Sequence, residues 1–240
     1  MLDISKIRAI TLDLDDTLWP IWPTIARAEI ALSDWLLPQA PGAAAVFADP
    51  IARVELRQEV VLTHPDFGHD LSAFRRAMIH LALHRAAEDT ALAEAAFQVF
   101  FDARMQVDLF EDARPALAFL AARYPIVALS NGNADVGRVG LGGFFTASVS
   151  AQAFGVAKPD PRIFHAGASA AGVPSETILH IGDDAALDVL GALEAGMQTV
   201  WVNREAKPWA HEAQPHLSVA SLMELCVLLD GVPERLQDCP

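Results

Sequence analysis

The stretch ITLDLDDTLWP, residues 10–20, decides how the rest of the chain is interpreted. A short apolar run is followed at once by three carboxylates, Asp13, Asp15 and Asp16. Carboxylates this close repel one another, and burial in an apolar setting would also remove their hydration. One interpretation is a polar loop after a buried strand. The other is a metal or nucleophile site at the carboxyl end of that strand.

Five short apolar runs predict the strands of one sheet. The first is IRAITLDL, which leads into the acidic stretch, and the other four are PIVALS at 125–130, ASVS at 147–150, TILHIG at 177–182 and QTVWVN at 198–203. Runs that are apolar on both faces are typical of buried parallel strands, and the short ASVS segment suits an edge.

Helical patterns separate these runs, at 111–123, 160–173 and 184–197. Strands that alternate with helices indicate βαβ units with right-handed crossovers. We therefore predict an α/β fold built on a Rossmann-like, doubly wound parallel sheet.

The segment between the first two strands breaks this alternation. Four helical patterns fill it, at 22–37, 49–62, 70–86 and 88–106. A connection of about ninety residues is too long for a plain loop. We predict two domains: an α/β core formed by residues 1–18 and 108–240, and an inserted α-helical cap formed by residues 19–107 over the carboxyl edge of the sheet.

Composition narrows the range of partners and compartments. The 240 residues carry a formal net charge of -14, which argues against nucleic acid as a partner because phosphate backbones are bound by clustered Lys and Arg. No apolar run approaches the ~20 residues of a membrane-spanning helix, and the first residues do not resemble a signal peptide. The two cysteines, Cys226 and Cys239, show no CxxC spacing. We therefore expect no disulfide framework and a cytoplasmic protein.

Polar residues follow the ends of four predicted strands, where open parallel sheets bind ligands. They are Asp13, Asp15, Asp16 and Thr17 after the first strand, Ser130, Asn131 and Gly132 after the second, Lys158 after the third, and Gly182, Asp183, Asp184 and Asp188 after the fourth. Carboxylates on adjacent strands, Asp13 and Asp183, form an oxygen-ligand site suited to Mg²⁺. The ion would relieve the repulsion within the cluster.

Four motifs in this order resemble those of the haloacid dehalogenase (HAD) superfamily. They are DLDDT, SNG, the lysine of VAKPDPRIF, and GDDAALD. The helical insertion after the first motif resembles the cap of that superfamily, so the resemblance covers nearly the whole chain. It implies a Mg²⁺-dependent phosphomonoester hydrolase that acts through an aspartyl-phosphate intermediate on a small phosphorylated metabolite.

The resemblance also implies roles for individual residues. Asp13 is the expected nucleophile, and Asp15 is the expected general acid and base. The expected Mg²⁺ ligands are the carboxylates of Asp13 and Asp183 and the backbone carbonyl of Asp15, with Asp188 near the metal-bound waters or the lysine. Ser130, the Gly132 N–H and Lys158 are expected to hold the transferring oxygens, and the expected substrate-binding set also includes Asn131, Thr17 and Trp19.

Asp15 separates the activities within this superfamily. Halide needs no proton when it leaves, and dehalogenases lack this second aspartate, so Asp15 favours a phosphate ester. Phosphonatases use a cap lysine, and residues 19–107 contain no lysine. The alternatives are a sugar phosphomutase of the same fold and a non-catalytic phospho-ligand-binding protein.

The segments AITLDLDDTLW, SNGNAD and DVLGALEAGMQTVWVNR resemble bacterial phosphatases that act on FMN and on 5-amino-6-(5-phospho-D-ribitylamino)uracil. This closer similarity is stronger in the core than in the cap. The sequence leaves the substrate and the choice between monomer and dimer open.

Several of these residues also have a purely structural interpretation. Asp16 suits a cap of the turn that follows it, and Asp184 suits either a ligand neighbour or the N-cap of the next helix. His80 and His84 have helical metal-ligand spacing but no third ligand, which favours packing or surface positions. Trp19 suits either hinge packing or stacking on a substrate ring.

Overall fold

The computed structural model describes residues 1–231 of the chain, and a six-stranded parallel sheet forms the centre of this part. The strands are β1 (Ala9–Leu12), β2 (Ile126–Ser130), β3 (Ala147–Ser150), β4 (Ile178–Gly182), β5 (Gln198–Val202) and β6 (Leu217–Val219). Their order is β3-β2-β1-β4-β5-β6, and every neighbouring pair is parallel. The predicted α/β fold is confirmed, and so is the edge position of β3. β6 was not predicted because three residues are too few to give a periodic pattern.

Helices cover both faces of the sheet. They are α6 (Ala113–Ala121), α7 (Ala151–Phe154), α8 (Pro161–Ala171), α9 (Gly191–Glu194) and α10 (Leu222–Asp230). Alternate residues of β1 enter different apolar clusters: Ile10 packs with residues of α6 and α10, and Ala9 packs with residues of α8. This alternation gives a sheet buried on both sides, as in doubly wound folds.

Two helical segments of the core differ from the predictions. The single helix predicted at 184–197 begins as a π-helical turn, Ala185–Leu190, before α9. Such turns occur often at functional sites, and this one carries Asp188. α10 was not predicted, whereas the predicted end of α8 is confirmed at Gly172, which has φ +71°.

Helices alone fill the segment between residues 20 and 107. They are α1 (Ile21–Leu36), α2 (Pro41–Ala48), α3 (Pro50–Thr63), α4 (Leu71–Arg85) and α5 (Ala93–Arg104), together with two short 3₁₀ turns. α2 is an addition to the four predicted helices. The buried apolar residues of α1–α5 form a cluster of their own, separate from the clusters that contact the sheet. This separation supports a helical cap at 19–107, which stays our proposal for the domain division.

The strand order places the candidate residues at one edge. β1 lies between β2 and β4, with Leu12 paired to Ala128 on one side and to Ile181 on the other. Sequence order reverses at this point of the sheet, which is where open α/β folds bind ligands.

Two sequence-based expectations concern membranes and the chain terminus. Within residues 1–231 no helix is long and apolar enough to cross a lipid bilayer. Cys226 is a buried free thiol, and Cys239 lies outside the described residues.

Candidate active site

A buried lysine joins two buried aspartates at the carboxyl edge of the sheet. Lys158 Nζ lies 2.5 Å from Asp13 Oδ1 and 2.5 Å from Asp188 Oδ1. The three residues are 4%, 7% and 1% exposed, respectively. Burial alone would lower the pKa of Lys158, but the two carboxylates outweigh this effect and raise it. The lysine is therefore a fixed positive charge beside Asp13.

The carboxylates around this lysine differ in how easily they ionise. Burial raises the pKa of Asp13 well above its usual value, and burial raises the pKa of Asp183 to about 7. Burial would also raise the pKa of Asp188, but Lys158 and His180 hold it well below its usual value. Asp188 thus ionises more readily than Asp13 and Asp183, although Lys158 lies equally close to Asp188 and Asp13.

The same carboxylates fit a divalent cation. One carboxylate oxygen each from Asp13, Asp183 and Asp188 lies within 4.8 Å of the others. The hydroxyl of Thr17 lies 3.3 Å from Asp13 Oδ2 and 3.0 Å from Asp183 Oδ1, but its one hydrogen can serve only one of them. A hard cation such as Mg²⁺ prefers such oxygen ligands. Asp13 and Asp183 therefore fit the role of ligands.

Asp188 fits a supporting role better than that of a direct ligand, because its oxygens already have donors. Oδ1 accepts from Lys158, and Oδ2 accepts from the backbone N–H of Asp184 at 3.0 Å. His180 Nε2 lies 3.3 Å from the same Oδ1. A carboxylate cannot donate, so Nε2 carries the hydrogen and Nδ1 accepts from the Thr11 hydroxyl at 2.9 Å.

His180 was missed in the sequence-based assignment. A sequence signal was present, since His180 is the one ionisable side chain in the run TILHIG. Burial lowers the pKa of His180, which is consistent with the neutral ring.

Two donors hold one oxygen of Asp15. Arg104 Nη2 lies 2.5 Å from Asp15 Oδ1, and Trp19 Nε1 lies 2.8 Å from the same atom. Trp19 is completely buried and is not among the residues that line the cavity, which favours the packing interpretation; stacking on a substrate ring stays a prediction. Its indole instead lies behind Asp15. No sequence pattern marked Arg104, which is an ordinary residue at the end of a helical segment.

The hydrogen bonds show what three further candidate residues contact in this structure, and their contacts with substrate stay predictions. Thr17 is completely buried, and its hydroxyl lies within hydrogen-bond distance of the Asp13 and Asp183 carboxylates. The Asn131 amide donates to the Lys158 carbonyl at 2.9 Å and accepts from the Lys158 N–H at 2.7 Å, so it positions the lysine loop. In this structure the Gly132 N–H donates to Ser130 Oγ at 2.9 Å. The Ser130 hydroxyl keeps its hydrogen for a contact with a phosphate oxygen.

These groups line a cavity of ≈ 240 Å³. The lining residues are Asp13, Asp15, Asp16, Leu71, Ser130, Asn131, Gly132, Lys158, Asp183, Asp184, Leu187 and Asp188. Leu71 is the first residue of α4, and the next residue, Ser72, accepts a hydrogen bond from Asn133 Nδ2 at 3.1 Å. The helical insertion therefore contributes Leu71 to the wall of the site and contacts the core beside it.

The remaining candidates take structural positions. Asp16 Oδ1 accepts from the N–H of Ile21 at the start of α1, which confirms the capping interpretation. Asp184 is the N-cap of the π-helical turn, where it accepts from the N–H groups of Ala186 and Leu187. His80 and His84 are exposed on α4 and take no part in the acidic cluster.

Comparison with known proteins agrees with this geometry. A profile of the haloacid dehalogenase-like hydrolases matches residues 7–196. The chain is 33% identical over 235 residues to the Escherichia coli 5-amino-6-(5-phospho-D-ribitylamino)uracil phosphatase YigB, with 94% of this chain and 98% of that protein covered. It is 31% identical over 252 residues to the phosphoserine phosphatase of Thermus thermophilus, with 91% and 98% covered.

A solved structure gives a similar result for the fold. The crystal structure of a 2-haloacid dehalogenase from Pseudomonas syringae superposes with a TM-score of 0.87 at 37% sequence identity, covering 93% of this chain and 98% of that chain. The similarity therefore extends over both the sheet and the helical insertion.

Proposed function

Since the chain belongs to the haloacid dehalogenase-like hydrolase family, we propose that it is a Mg²⁺-dependent phosphomonoester hydrolase that carries the phosphoryl group on Asp13. Its relatives include several phosphatases, and phosphatase is the class of this enzyme. The observation that carries the proposal is the contact of Lys158 with Asp13 at 2.5 Å, beside the acidic cluster and Asp15 in one cavity.

The first half-reaction uses Asp13 as nucleophile. Its carboxylate oxygen bonds to phosphorus while the ester P–O bond breaks, and Asp15 gives a proton to the leaving oxygen. Lys158 and the Ser130 hydroxyl face the transferring oxygens and stabilise their charge. Mg²⁺ held by Asp13 and Asp183 would supply positive charge that favours the ionised carboxylates and offsets the charge of the phosphoryl group.

The second half-reaction restores Asp13. Asp15 takes a proton from water, the hydroxide oxygen bonds to phosphorus, and the bond between phosphorus and the Asp13 oxygen breaks. Inorganic phosphate leaves, and Asp15 holds the proton needed for the next turnover. One residue thus serves as acid and then as base, which requires that its carboxyl stays at the cavity wall.

Dehalogenation is the competing function, because one similar structure is that of a 2-haloacid dehalogenase. Halide leaves without a proton, so a dehalogenase gains nothing from a second carboxyl at the site. Here Asp15 lines the cavity and is held by two donors. This arrangement supports an oxygen leaving group and therefore a phosphate ester.

The cavity also restricts the substrate. Among residues 1–231 its lining has several carboxylates and two leucines but only one basic side chain, Lys158, which the phosphoryl group would occupy. A substrate whose remaining part is uncharged, such as a polyol or a neutral ring, therefore suits the site. We propose a small metabolite of this kind, with the ribitylamino-pyrimidine phosphate of the Escherichia coli relative and FMN as candidates. The compartment we propose is the cytoplasm, because two cysteines without a disulfide framework suit a reducing environment.

Phosphate release from a panel of esters tests the proposal. The panel contains FMN, the ribitylamino-pyrimidine phosphate, sugar phosphates and nucleotides, each with and without Mg²⁺. We expect Mg²⁺-dependent release by the wild type and none by Asp13→Asn. Isomerised sugar phosphate in place of free phosphate would indicate a mutase, and activity retained in Asp13→Asn would exclude the covalent route.

A further inference from the structure

Arg104 is a buried arginine at the junction between α5 and the core. It is the last residue of α5, it is 1% exposed, and its Nη2 atom lies 2.5 Å from Asp15 Oδ1. Arginine is almost never fully buried unless it is paired, because desolvation of the charge is costly. The contact with Asp15 therefore offsets the cost of burying the Arg104 guanidinium.

The carboxyl of Asp15 is fixed on both sides. Oδ1 accepts from Arg104 and from Trp19, both of which are buried. Oδ2 lies against Gly132, so closely that a Cβ atom at position 132 would overlap with it. The carboxyl therefore cannot rotate freely, and the two oxygens are not equivalent: Oδ1 is anchored and Oδ2 has no side-chain donor among residues 1–231.

We propose that Arg104 is a positioning residue that orients Asp15, so that Oδ2 is the oxygen that exchanges the proton with the leaving group and with water. The proposal rests on the proposed phosphatase function. A neutral carboxyl with its proton on Oδ2 still offers Oδ1 as an acceptor, so the anchor persists in both protonation states. Because Arg104 belongs to the last helix of the insertion, the placement of that helix is transmitted directly to the catalytic acid.

The effect of Arg104 on the rate should depend on the leaving group of the ester. An alkoxide is a strong base and needs the proton from Asp15, whereas 4-nitrophenolate is a stable anion and leaves without it. Loss of orientation at Asp15 should therefore slow the hydrolysis of alkyl phosphates and spare 4-nitrophenyl phosphate. Damage to the fold or to the phosphate site would slow both esters alike.

The experiment compares kcat/KM for glycerol phosphate and 4-nitrophenyl phosphate, with Mg²⁺, in the wild type and in Arg104→Met, Arg104→Lys and Trp19→Phe. For Arg104→Met we expect a fall of about 10- to 100-fold with the alkyl ester and less than about threefold with the aryl ester, since general acid catalysis contributes about 10²–10⁴ in rate. Arg104→Lys should recover part of the alkyl rate because an ammonium can donate to Oδ1. Trp19→Phe removes the other donor and keeps an aromatic ring. It should also lower the ratio of kcat/KM for the alkyl ester to kcat/KM for the aryl ester.

Arg138→Gln is the matched control. Arg138 pairs with Asp102 of α5, so this variant breaks an exposed ion pair between the same helix and the core without touching Asp15. We expect it to leave the ratio of the two esters unchanged.

Four results would overturn the inference. The first is an equal loss of kcat/KM with both esters in Arg104→Met. If Arg104→Met does not fold, the second is an unchanged ratio of the two kcat/KM values in Trp19→Phe. The third is a shifted ratio in Arg138→Gln, and the fourth is an inactive wild type. The last result alone would reject the proposed function as well.

Discussion

Lys158 and Asp13 form an ion pair in which Nζ lies 2.5 Å from Oδ1 while both side chains are more than nine-tenths buried. The pair joins the loop before α8 to the end of β1, and Asp188 completes it from the π-helical turn. Water is largely excluded, so the charges of these groups act on one another and on any bound phosphoryl group with little screening.

Removal of the lysine should cost both stability and activity. Lys158→Met leaves Asp188 as a buried carboxylate without its main partner, and breaking a buried ion pair in this way costs about 3–5 kcal/mol. We expect urea unfolding in EDTA to show a loss of this size, together with loss of phosphatase activity.

The double variant Lys158→Met/Asp188→Asn separates these two effects. Because it removes both charges, it should recover much of the unfolding free energy and none of the activity. Equal stability of Lys158→Met and the wild type would show that the pair does not exist in solution.

The buried carboxylate of Asp183 should make the Mg²⁺-free protein less stable at higher pH. Burial raises the pKa of Asp183 to about 7, whereas an unfolded aspartate titrates near pH ~3.9. Between these values the folded chain binds more protons than the unfolded chain, so the free energy of unfolding falls as the pH rises. Asp183→Asn removes this dependence.

Melting temperatures in EDTA measure the effect. The Tm of Asp183→Asn should be close to that of the wild type at about pH 4.5 and several degrees higher at about pH 8. This size follows because 1 kcal/mol shifts the Tm of a chain of this size by about 2–4 °C. Mg²⁺ at the higher pH should raise the Tm of the wild type more than that of the variant. A pH-independent difference between the two proteins would contradict the shifted pKa.

A methyl group at position 132 should displace Asp15. The Cβ atom of Gly132→Ala would overlap with Asp15 Oδ2. We expect kcat for an alkyl phosphate to fall by about 10- to 100-fold, in line with the contribution of a general acid. Gly143→Ala is the control, because a Cβ atom there meets nothing within 4 Å. Equal activities of the two variants would show that Asp15 can shift without consequence.

The charge of the cavity should decide between substrates. Because the phosphoryl group would occupy Lys158, a second anionic group on the substrate would meet several carboxylates and no further basic side chain in the cavity lining formed by residues 1–231. We expect kcat/KM for a neutral polyol phosphate to exceed that for phosphoserine or phosphoglycerate by about tenfold or more, since like charges cost several kcal/mol when poorly screened. Leu187→Lys, at the cavity wall, should narrow this difference. A wild type that prefers the doubly anionic esters would reject the proposed substrate class.

The sequence predicted those parts of the molecule that depend on residues close together in the chain, such as an apolar run and the polar residues directly after it. Apolar runs predicted five strands, and the residues after them placed Asp13, Lys158, Asp183 and Asp188 at one sheet edge, where the structure brings them together. Partners across long distances in the chain have no such signal. Arg104 contacts Asp15 from 89 positions away, and Trp19 turns its indole inward although its sequence context suits a pocket wall equally well.

The central claim, that Asp13 carries the phosphoryl group, is tested most directly by acid quenching during turnover. The wild type is mixed with Mg²⁺ and a phosphate ester, stopped in acid within the first turnovers, digested and analysed by mass spectrometry. We predict a phosphorylated peptide that contains Asp13, absent from Asp13→Asn. Turnover by the wild type with no phosphoryl group on Asp13, or with one on another residue, would contradict the account.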